Sequence, residues 1–108
     1  MIKLTVNPGL RQPARCFDKA NVIIGSGSFS QADLHLPGEI LLDVHVQILE
    51  QDHRFVIINH ANDPYATLNG APFAKKTIKS GDILQIGNTQ ILFEGLQFTS
   101  THDYLHAG

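Results

Sequence analysis

The chain has 108 residues, of which 43% are hydrophobic and 17% charged, with a formal net charge of −2 at pH 7. This length suits one domain with one core, and the composition is too apolar for a disordered chain. The near-neutral charge gives no reason to expect binding to nucleic acid, and no stretch approaches the ~20 apolar residues of a membrane-spanning helix.

The predicted elements along the chain are short runs of β-branched and aromatic residues, separated by Gly, Pro, Asn and Asp. The predicted strands cover residues 2–6, 14–18, 21–24, 33–36, 44–49, 54–58, 77–78, 83–86 and 89–93, with a loop at 60–66 and a hairpin at Asn69-Gly70. No helical period persists anywhere. Many short strands with turns every ~8–12 residues indicate a β-sandwich or a barrel.

The chain's single cysteine and its two ends give expectations about environment and domain limits. Cys16 cannot form an internal disulfide, which favours a reducing, cytoplasmic location, and we interpret it as a small apolar side chain within a strand. The start lacks the features of a secretory signal. We expect one β domain over residues 1–95 and a polar extension, or the start of a linker, over 96–108. The chain is then either a cytoplasmic protein or the soluble part of a membrane-anchored one.

The order of several pieces resembles that of the forkhead-associated (FHA) domain. These pieces are Ile24-Gly25, Asp33-Leu34-His35-Leu36, His45-Val46-Gln47-Ile48, Phe55-Val56-Ile57, Leu68-Asn69-Gly70, residues 80–87 and Ile91-Leu92-Phe93-Glu94. The resemblance covers the chain from Ile2 to Glu94 and is most specific from Gly81 to Phe93. It implies an all-β sandwich of about eleven mostly antiparallel strands, with loops at one end that typically hold a phosphothreonine peptide.

The sequence departs from this family at the residues that bind phosphate. The family uses an Arg after the Gly of the third strand, a Ser three residues before the His, and an Asn in the loop before the later Asn-Gly. Ser26, Leu42 and Pro64 stand at these positions, and Asp63 adds a negative charge beside the last of them. Each lost charge-assisted hydrogen bond costs ~1.5–3 kcal/mol, so the resemblance implies the fold without the usual phosphate site.

We therefore predict a non-catalytic protein-interaction domain whose loops dock a protein or peptide partner, or assemble a scaffold, without phosphate. Leu42 and Tyr65 are expected to form one apolar patch, and His45 to hold the loops. The candidate contact residues are Ser26, Ser28, Leu42, His45, Asn62, Tyr65 and Asn69.

Two alternatives stay open at this stage. A phosphothreonine peptide would be bound by a substitute site that includes Ser26, Ser28, Asn62 and Lys75. A ring or scaffold subunit would associate with itself, as FHA-like domains do in an inner-membrane ring protein of type III secretion systems, which the chain also resembles.

Other residue patterns give no site for catalysis, a cofactor or a metal. The spacing of Ser, His and Asp selects no catalytic triad. Of six histidines, His102 and His106 alone have helical i, i+4 spacing, in a terminal segment with no further ligand except Asp103. Lys75, Lys76 and Lys79 form a small basic cluster. We interpret this cluster as a solvated sheet edge that deters strand pairing, with contact to an acidic partner as the alternative.

Overall fold

The fold comes from a computed structural model that describes residues 1–10, 13–26, 32–36 and 38–98. Within these residues it contains ten β-strands and one 3-10 turn at Pro8–Leu10, which confirms the all-β prediction. The strands are β1 (Ile2–Val6), β2 (Arg15–Phe17), β3 (Asn21–Ile24), β4 (Val46–Gln51), β5 (Arg54–Asn59), β6 (Ala66–Leu68), β7 (Ala71–Pro72), β8 (Lys75–Ile78), β9 (Ile83–Ile86) and β10 (Thr89–Leu96).

The strands form two antiparallel sheets that enclose one core. The first sheet has the order β2-β1-β10-β9-β6-β7, and the second has the order β3-β4-β5-β8. Side chains alternate between the core and the solvent, as in β4, where Val46 and Ile48 are buried and Gln47 is not. The largest completely or nearly completely buried side chains are Phe93, Ile2, Leu4, Ile24, Leu34, Ile48, Ile57, Leu84, Ile86, Ile91, Val22 and Val46.

Strand register places the functional loops at one end of the second sheet. Ile24, the last residue of β3, pairs with Val46, the first residue of β4. Val46 in turn pairs with Asn59, the last residue of β5. The segments that leave or enter these three strand ends therefore meet. We call residues 25–26, 38–45 and 60–65 the loop end.

At the opposite end of the second sheet, β4 and β5 are joined by a tight turn. Asp52 and His53 have φ values of +54° and +61°, and β4 pairs with β5 in unbroken register from Val46 to Gln51. Positive φ at both central residues gives the turn the twist that antiparallel strands require. Asp52 and His53 therefore connect β4 to β5 as a two-residue hairpin turn.

One predicted strand is not formed, the short strands β6 and β7 were not predicted, and the limits of several other strands differ from the prediction. Residues 33–36 make one isolated parallel bridge between Leu34 and Ile24, because the Asp33 carboxylate accepts a hydrogen bond from the backbone N–H of Ile23 and replaces a strand partner. Strand β4 begins at Val46 instead of residue 44. Strand β6 begins at Ala66, a residue that the prediction assigned to a loop. Strand β10 continues to Leu96, which packs against the core.

Two further features qualify the sequence analysis. Cys16 lies in β2 as predicted, and its side chain is exposed on this edge strand beside β1. Phe98 stacks on Phe55 with ring centroids 5.1 Å apart, so the described chain still contacts the sandwich at that residue. The rest of the predicted extension, residues 99–108, lies outside the described residues.

Candidate functional site

Gly25 lets two loops of the loop end cross at close range. A Cβ atom at this position would lie 2.9 Å from the carbonyl oxygen of Leu42 and still closer to that of Asp43. The backbone N–H of Gly25 donates to the carbonyl oxygen of Leu34 at 3.1 Å. A side chain at this position would force the backbone of residues 42–43 away, so the crossing requires glycine.

Ser26 fastens the crossing by two hydrogen bonds. Its backbone N–H donates to the carbonyl oxygen of Leu42 at 3.0 Å. Its hydroxyl donates to the carbonyl oxygen of Leu41 at 2.9 Å. The single hydroxyl proton of Ser26 is therefore used within the protein and is not directed to a ligand.

Glu39 anchors the same loop on its other side. Its carboxylate oxygen Oε2 accepts hydrogen bonds from the backbone N–H of Asn88 at 3.1 Å and from the hydroxyl of Thr89 at 2.8 Å. Both donors belong to the turn between β9 and β10 and to the start of β10. The loop at residues 38–45 is thus held from two directions.

His45 joins the two longer loops through both ring nitrogens. Its Nδ1 accepts a hydrogen bond from the backbone N–H of Leu42 at 3.1 Å, which leaves Nε2 to carry the proton. Nε2 then donates to Oδ2 of Asp63 at 2.8 Å. His45 is 5% exposed, so this link is shielded from water. We call the pair the His45–Asp63 bridge.

Asp63 completes the bridge through its second carboxylate oxygen. Oδ1 accepts a hydrogen bond from the backbone N–H of Tyr65 at 2.8 Å, which forms an Asx-turn. The side chain of Asn59 holds the same loop, because its amide donates to the carbonyl oxygen of Asp63 and its Oδ1 accepts from the N–H of Asp63. Leu42 and Tyr65 therefore occupy the two ends of one continuous chain of hydrogen bonds.

The ionised form of Asp63 is favoured in this setting. Burial alone would raise the pKa of the carboxyl. The hydrogen bonds from His45 and from the N–H of Tyr65, together with the electrostatic attraction of the His45 ring, outweigh burial and lower the pKa below its usual 3.8. Asp63 is therefore a fixed negative charge at neutral pH.

The bridge supports an exposed apolar surface. Among the described residues, five large hydrophobic side chains are exposed, and three of them lie at the loop end: Ile40, Leu42 and Tyr65 are 99%, 57% and 76% exposed. Neighbouring Leu41 packs against the core. Leu41 thus fills the end of the sandwich, while Leu42 faces water.

The fold and this loop arrangement can be compared with known proteins. The sequence pattern of the FHA domain matches residues 22–87, more than half of the chain. The chain belongs to the FHA domain family. The matched range begins at the second residue of β3 and includes the whole loop end and the strands from β4 to β6.

Solved structures with the same fold include FHA domains in several settings. One comes from a structural and functional analysis of phosphothreonine-dependent FHA domain interactions, with a TM-score of 0.72, 20% identity, and coverage of 90% of this chain and 98% of that chain. The FhaA FHA domain complexed with the intracellular domain of Rv3910 has a TM-score of 0.69, 21% identity, and coverage of 85% and 98%.

A third FHA domain, from the CT664 protein of Chlamydia trachomatis, has a TM-score of 0.72 and 18% identity, and the match covers 89% of this chain and 98% of that chain. These identities establish a shared fold. A search of curated proteins by sequence gave no match.

The loop end of this FHA domain has no cationic side chain in its sequence. The loop end and the sequence that continues from it to residue 33 contain no Lys or Arg, but they contain Asp33, Glu39, Asp43 and Asp63. Asp33 forms an ion pair with Lys19 beside β3. The other three acids give these loops a negative formal charge.

The predicted contact residues do not all come together. Ser26, Leu42, His45 and Tyr65 are joined by the hydrogen bonds above, and Asn62 lies exposed on the same loop as Tyr65, with a φ of +51°. Ser28 lies outside the described residues. Asn69 is at the other end of β6 from Tyr65, where its side chain donates to Asp82 and accepts from the N–H of Ile83.

Lys75, assigned to a substitute phosphate site, is also distant from the loop end serine. Lys75 lies on β8 and Ser26 follows β3, and these strands form the two opposite edges of the second sheet. With strands ~4.8 Å apart, three strand spacings separate them by roughly 14 Å. The two backbones are therefore not in contact, and a phosphate shared by these residues would have to be reached by the extended Lys75 side chain.

Sequence reasoning missed two residues of this surface and one role. Ile40, the most exposed apolar side chain, was not selected, although it belongs to the apolar run from Ile40 to Leu42. Glu39, which anchors the loop at residues 38–45, was not selected either. Asp63 was read as a repelling charge, whereas it also bonds to His45. No local pattern reports such a contact, since His45 and Asp63 are far apart in sequence.

The described residues contain no group of three His, Cys, Asp or Glu side chains placed to hold a metal ion. His102 and His106 lie outside those residues. In the described part of the chain, no helix has the length and hydropathy needed to cross a membrane.

Proposed function

We propose that this FHA domain binds a protein partner at the loop end without recognising phosphate, and that it does so without catalysis. The observation that carries the proposal is the state of Ser26. This residue stands where the family has its phosphate-binding arginine, and its hydroxyl is bonded to the carbonyl oxygen of Leu41. Ser26 therefore offers a phosphate neither a guanidinium nor a free hydroxyl donor, which are the groups that bind phosphate strongly.

Electrostatics support the same proposal. A bound phosphate would add about two negative charges next to Asp63, whose pKa is lowered and which stays ionised. Like charges within ~4 Å repel by roughly 4 kcal/mol at an effective dielectric constant near 20. A phosphorylated peptide thus gains no attraction here and meets repulsion.

The apolar side chains supply a different basis for binding. Exposed aromatic and large aliphatic residues on a rigid support are the usual anchors of a protein interface. Tyr65 and Leu42 sit at the two ends of the His45–Asp63 bridge, so their backbones are fixed before a partner arrives. Preorganised loops lose less conformational entropy on binding, which increases affinity.

A gain-of-function design tests the loss of phosphate recognition. The domain is assayed against a degenerate phosphothreonine peptide library and its unphosphorylated counterpart. The wild type is expected to show no preference. The variant Ser26→Arg/Leu42→Ser/Pro64→Asn restores the three phosphate-binding residue types and is expected to prefer the phosphorylated library. Selective, phosphatase-sensitive binding by the wild type would overturn the proposal.

A second experiment tests the apolar surface directly. Peptides that bind the wild-type domain are selected from a random unphosphorylated display library and then measured against Leu42→Asp/Tyr65→Ala. Loss of one anchor costs about 2 kcal/mol, so the double change should weaken binding at least ~30-fold. The matched control is Leu10→Asp, which alters an exposed apolar residue outside the loop end. If selected peptides bind the double variant as well as the wild type, the binding surface is elsewhere.

Phosphothreonine binding is the competing function, because one similar structure was studied for phosphothreonine-dependent interactions. The library experiment decides between the two. Self-association into a scaffold is the other alternative, and a molar mass that rises with protein concentration would favour it.

A further inference from the structure

The second sheet has two edge strands, and they differ in how their backbones are covered. At the β3 edge, the N–H of Ile23 donates to the carboxylate of Asp33 at 2.8 Å. The carbonyl oxygen of Ile23 accepts from the N–H groups of Asp33 and Leu34 at 2.8 and 3.1 Å. Residues 33–34 therefore cap this edge and prevent another strand from pairing there.

The β8 edge has no such cap among the described residues. Strand β8 pairs with β5 alone, in the register Phe55↔Ile78, Val56↔Thr77, Ile57↔Lys76 and Ile58↔Lys75. No side chain in the described part of the chain bonds to its backbone, and Lys75, Lys76 and Thr77 are all exposed. This strand presents unpaired N–H and C=O groups to water, which is the template for addition of a strand.

Positive charge is concentrated at this open edge. Of the eight Lys and Arg residues of the chain, four are Arg54, Lys75, Lys76 and Lys79, which lie on β5, on β8 or directly after β8. None of the four forms an ion pair within the described residues, although the chain as a whole has a net charge of −2. An unneutralised basic cluster in an acidic chain attracts acidic partners.

The cluster borders a surface concavity of about 250 Å³. It is lined by Gln51, Asp52, Arg54, Val56, Lys75, Lys76 and Thr77. Val56 is buried there at 4% exposure, and it pairs with Leu49 and Thr77 on the outer face of the sheet. The edge therefore combines three cations with a shallow concavity beside the open strand.

We propose that β8 binds an extended acidic segment of a partner protein, which adds to the second sheet as a fifth strand. The backbone of β8 supplies the hydrogen bonds, and carboxylates on the outer face of the segment pair with Arg54 and Lys75. The apolar residues that alternate with those carboxylates face the other side of the sheet and cover the aliphatic part of Lys76, since successive side chains of a strand face opposite sides. This surface is separate from the loop end, so the inference does not depend on the function proposed above.

A second copy of this chain is a poorer occupant. Antiparallel pairing of β8 with its own copy would bring the lysines of both copies close together. Like charges on neighbouring strands destabilise a sheet, and lysine on an edge strand protects against such pairing. The same lysines that oppose pairing with a second copy attract an acidic segment, so they make the edge selective for acidic partners.

The test uses a blocked peptide of alternating Glu and Val residues as the probe and an otherwise identical peptide with Gln in place of Glu. We expect the Glu peptide to shift the amide NMR signals of residues 75–78 and 54–58 and to slow hydrogen exchange along β8. Binding should weaken several-fold between low and high salt, and the Gln peptide should bind at least ~10-fold more weakly.

The variant Lys75→Glu/Lys76→Glu should reduce affinity for the Glu peptide at least ~10-fold. The matched control Lys3→Glu/Arg15→Glu has the same net charge, but its changes lie on the first sheet, and it should keep most of the affinity. If the first variant does not fold, Lys75→Gln/Lys76→Gln should still weaken binding. Equal binding of the two peptides, equal losses in variant and control, signal changes confined to the loop end, or a mass that doubles without peptide would each overturn the proposal.

Discussion

The His45–Asp63 bridge and the Asn69 hairpin are both networks of polar side chains bonded to backbone, and they lie at opposite ends of β6. In the hairpin, Asn69 and Gly70 have φ values of +51° and +86°, which form the type of turn that Asn-Gly favours. Asn69 bonds to Asp82 and Ile83, and Asp82 accepts from the N–H of Lys79 at 2.9 Å. These bonds join the hairpin to the turn between β8 and β9.

The His45–Asp63 bridge also consists of hydrogen bonds between polar side chains and backbone, but it fixes residues whose side chains are exposed. His45 and Asp63 bind the backbones of Leu42 and Tyr65, whose side chains remain exposed. The hairpin residues match the family pattern because the turn geometry requires them. The loop end keeps its supporting histidine but replaces the residues that would meet the ligand. Comparison of the two networks separates the residues that maintain the fold from the exposed residues that can change without disturbing it.

The largest expected effect comes from Gly25→Ala, which tests how tightly the loop end is built. The added Cβ would overlap the backbone of residues 42–43, and the two Ser26 hydrogen bonds would lengthen as the loops part. We expect a loss of about 3 kcal/mol in the free energy of unfolding, measured by denaturant titration. Gly9→Ala is the control, because a Cβ there meets nothing within 4 Å. Equal stability of the two variants would mean that the loops do not cross as described.

His45→Ala tests the bridge and should have the next largest effect. Removal of the ring leaves the partly buried Asp63 carboxylate without its His45 donor and the N–H of Leu42 without its acceptor. A partly buried unpaired group costs ~1–3 kcal/mol, so we expect a loss of about 2 kcal/mol together with weaker binding of peptides selected on the loop end. Intact binding by a folded His45→Ala protein would contradict the role of the bridge in presenting Leu42 and Tyr65.

Asn69→Ala provides the contrast to His45→Ala, because it removes the hairpin network, which we expect to have no contact with the partner. Two side-chain hydrogen bonds are lost and an alanine must adopt a φ near +51°. We expect a loss of about 1 kcal/mol in stability and unchanged affinity for the same peptides. A loss of affinity that exceeds the loss from His45→Ala would place the partner at the hairpin, in agreement with the original assignment of Asn69 to the contact surface.

Sequence reasoning reached the fold more completely than the site, and particular residues show why. Strands such as β1 and β9, and the turn at Asn69-Gly70, follow from local alternation and from residues that tolerate positive φ. The position of Ser26 relative to Leu41 depends on two loops that meet only after folding. The same is true of His45 and Asp63, and of the cap that Asp33 places on β3. Such contacts leave no periodic pattern in the sequence.

The smallest expected effect is the pH dependence that Asp63 gives to stability. Its pKa in the folded state is lowered from 3.8, mainly because bonds from His45 and Tyr65 outweigh burial, so folding favours the ionised carboxylate. A group of this kind contributes stability in full above its unfolded pKa, and the contribution is lost as the pH falls through the lower folded value. The stability difference between the wild type and Asp63→Asn should therefore stay level above roughly pH 5 and shrink as the pH falls towards roughly pH 3.

Unfolding by denaturant at several pH values measures this difference, and the control is the same substitution in a His45→Ala background. Without the imidazole, the carboxylate loses its main favourable partner while burial still opposes its charge. The shrinkage with falling pH should then be smaller, and the gap between the two backgrounds is the coupling energy of the bridge. The same pH dependence in both backgrounds would show that Asp63 is stabilised by the Asx-turn to Tyr65 alone. In that case the contact between His45 and Asp63 would not stabilise the ionised carboxylate. His45 would then hold Leu42 without support from the opposite loop.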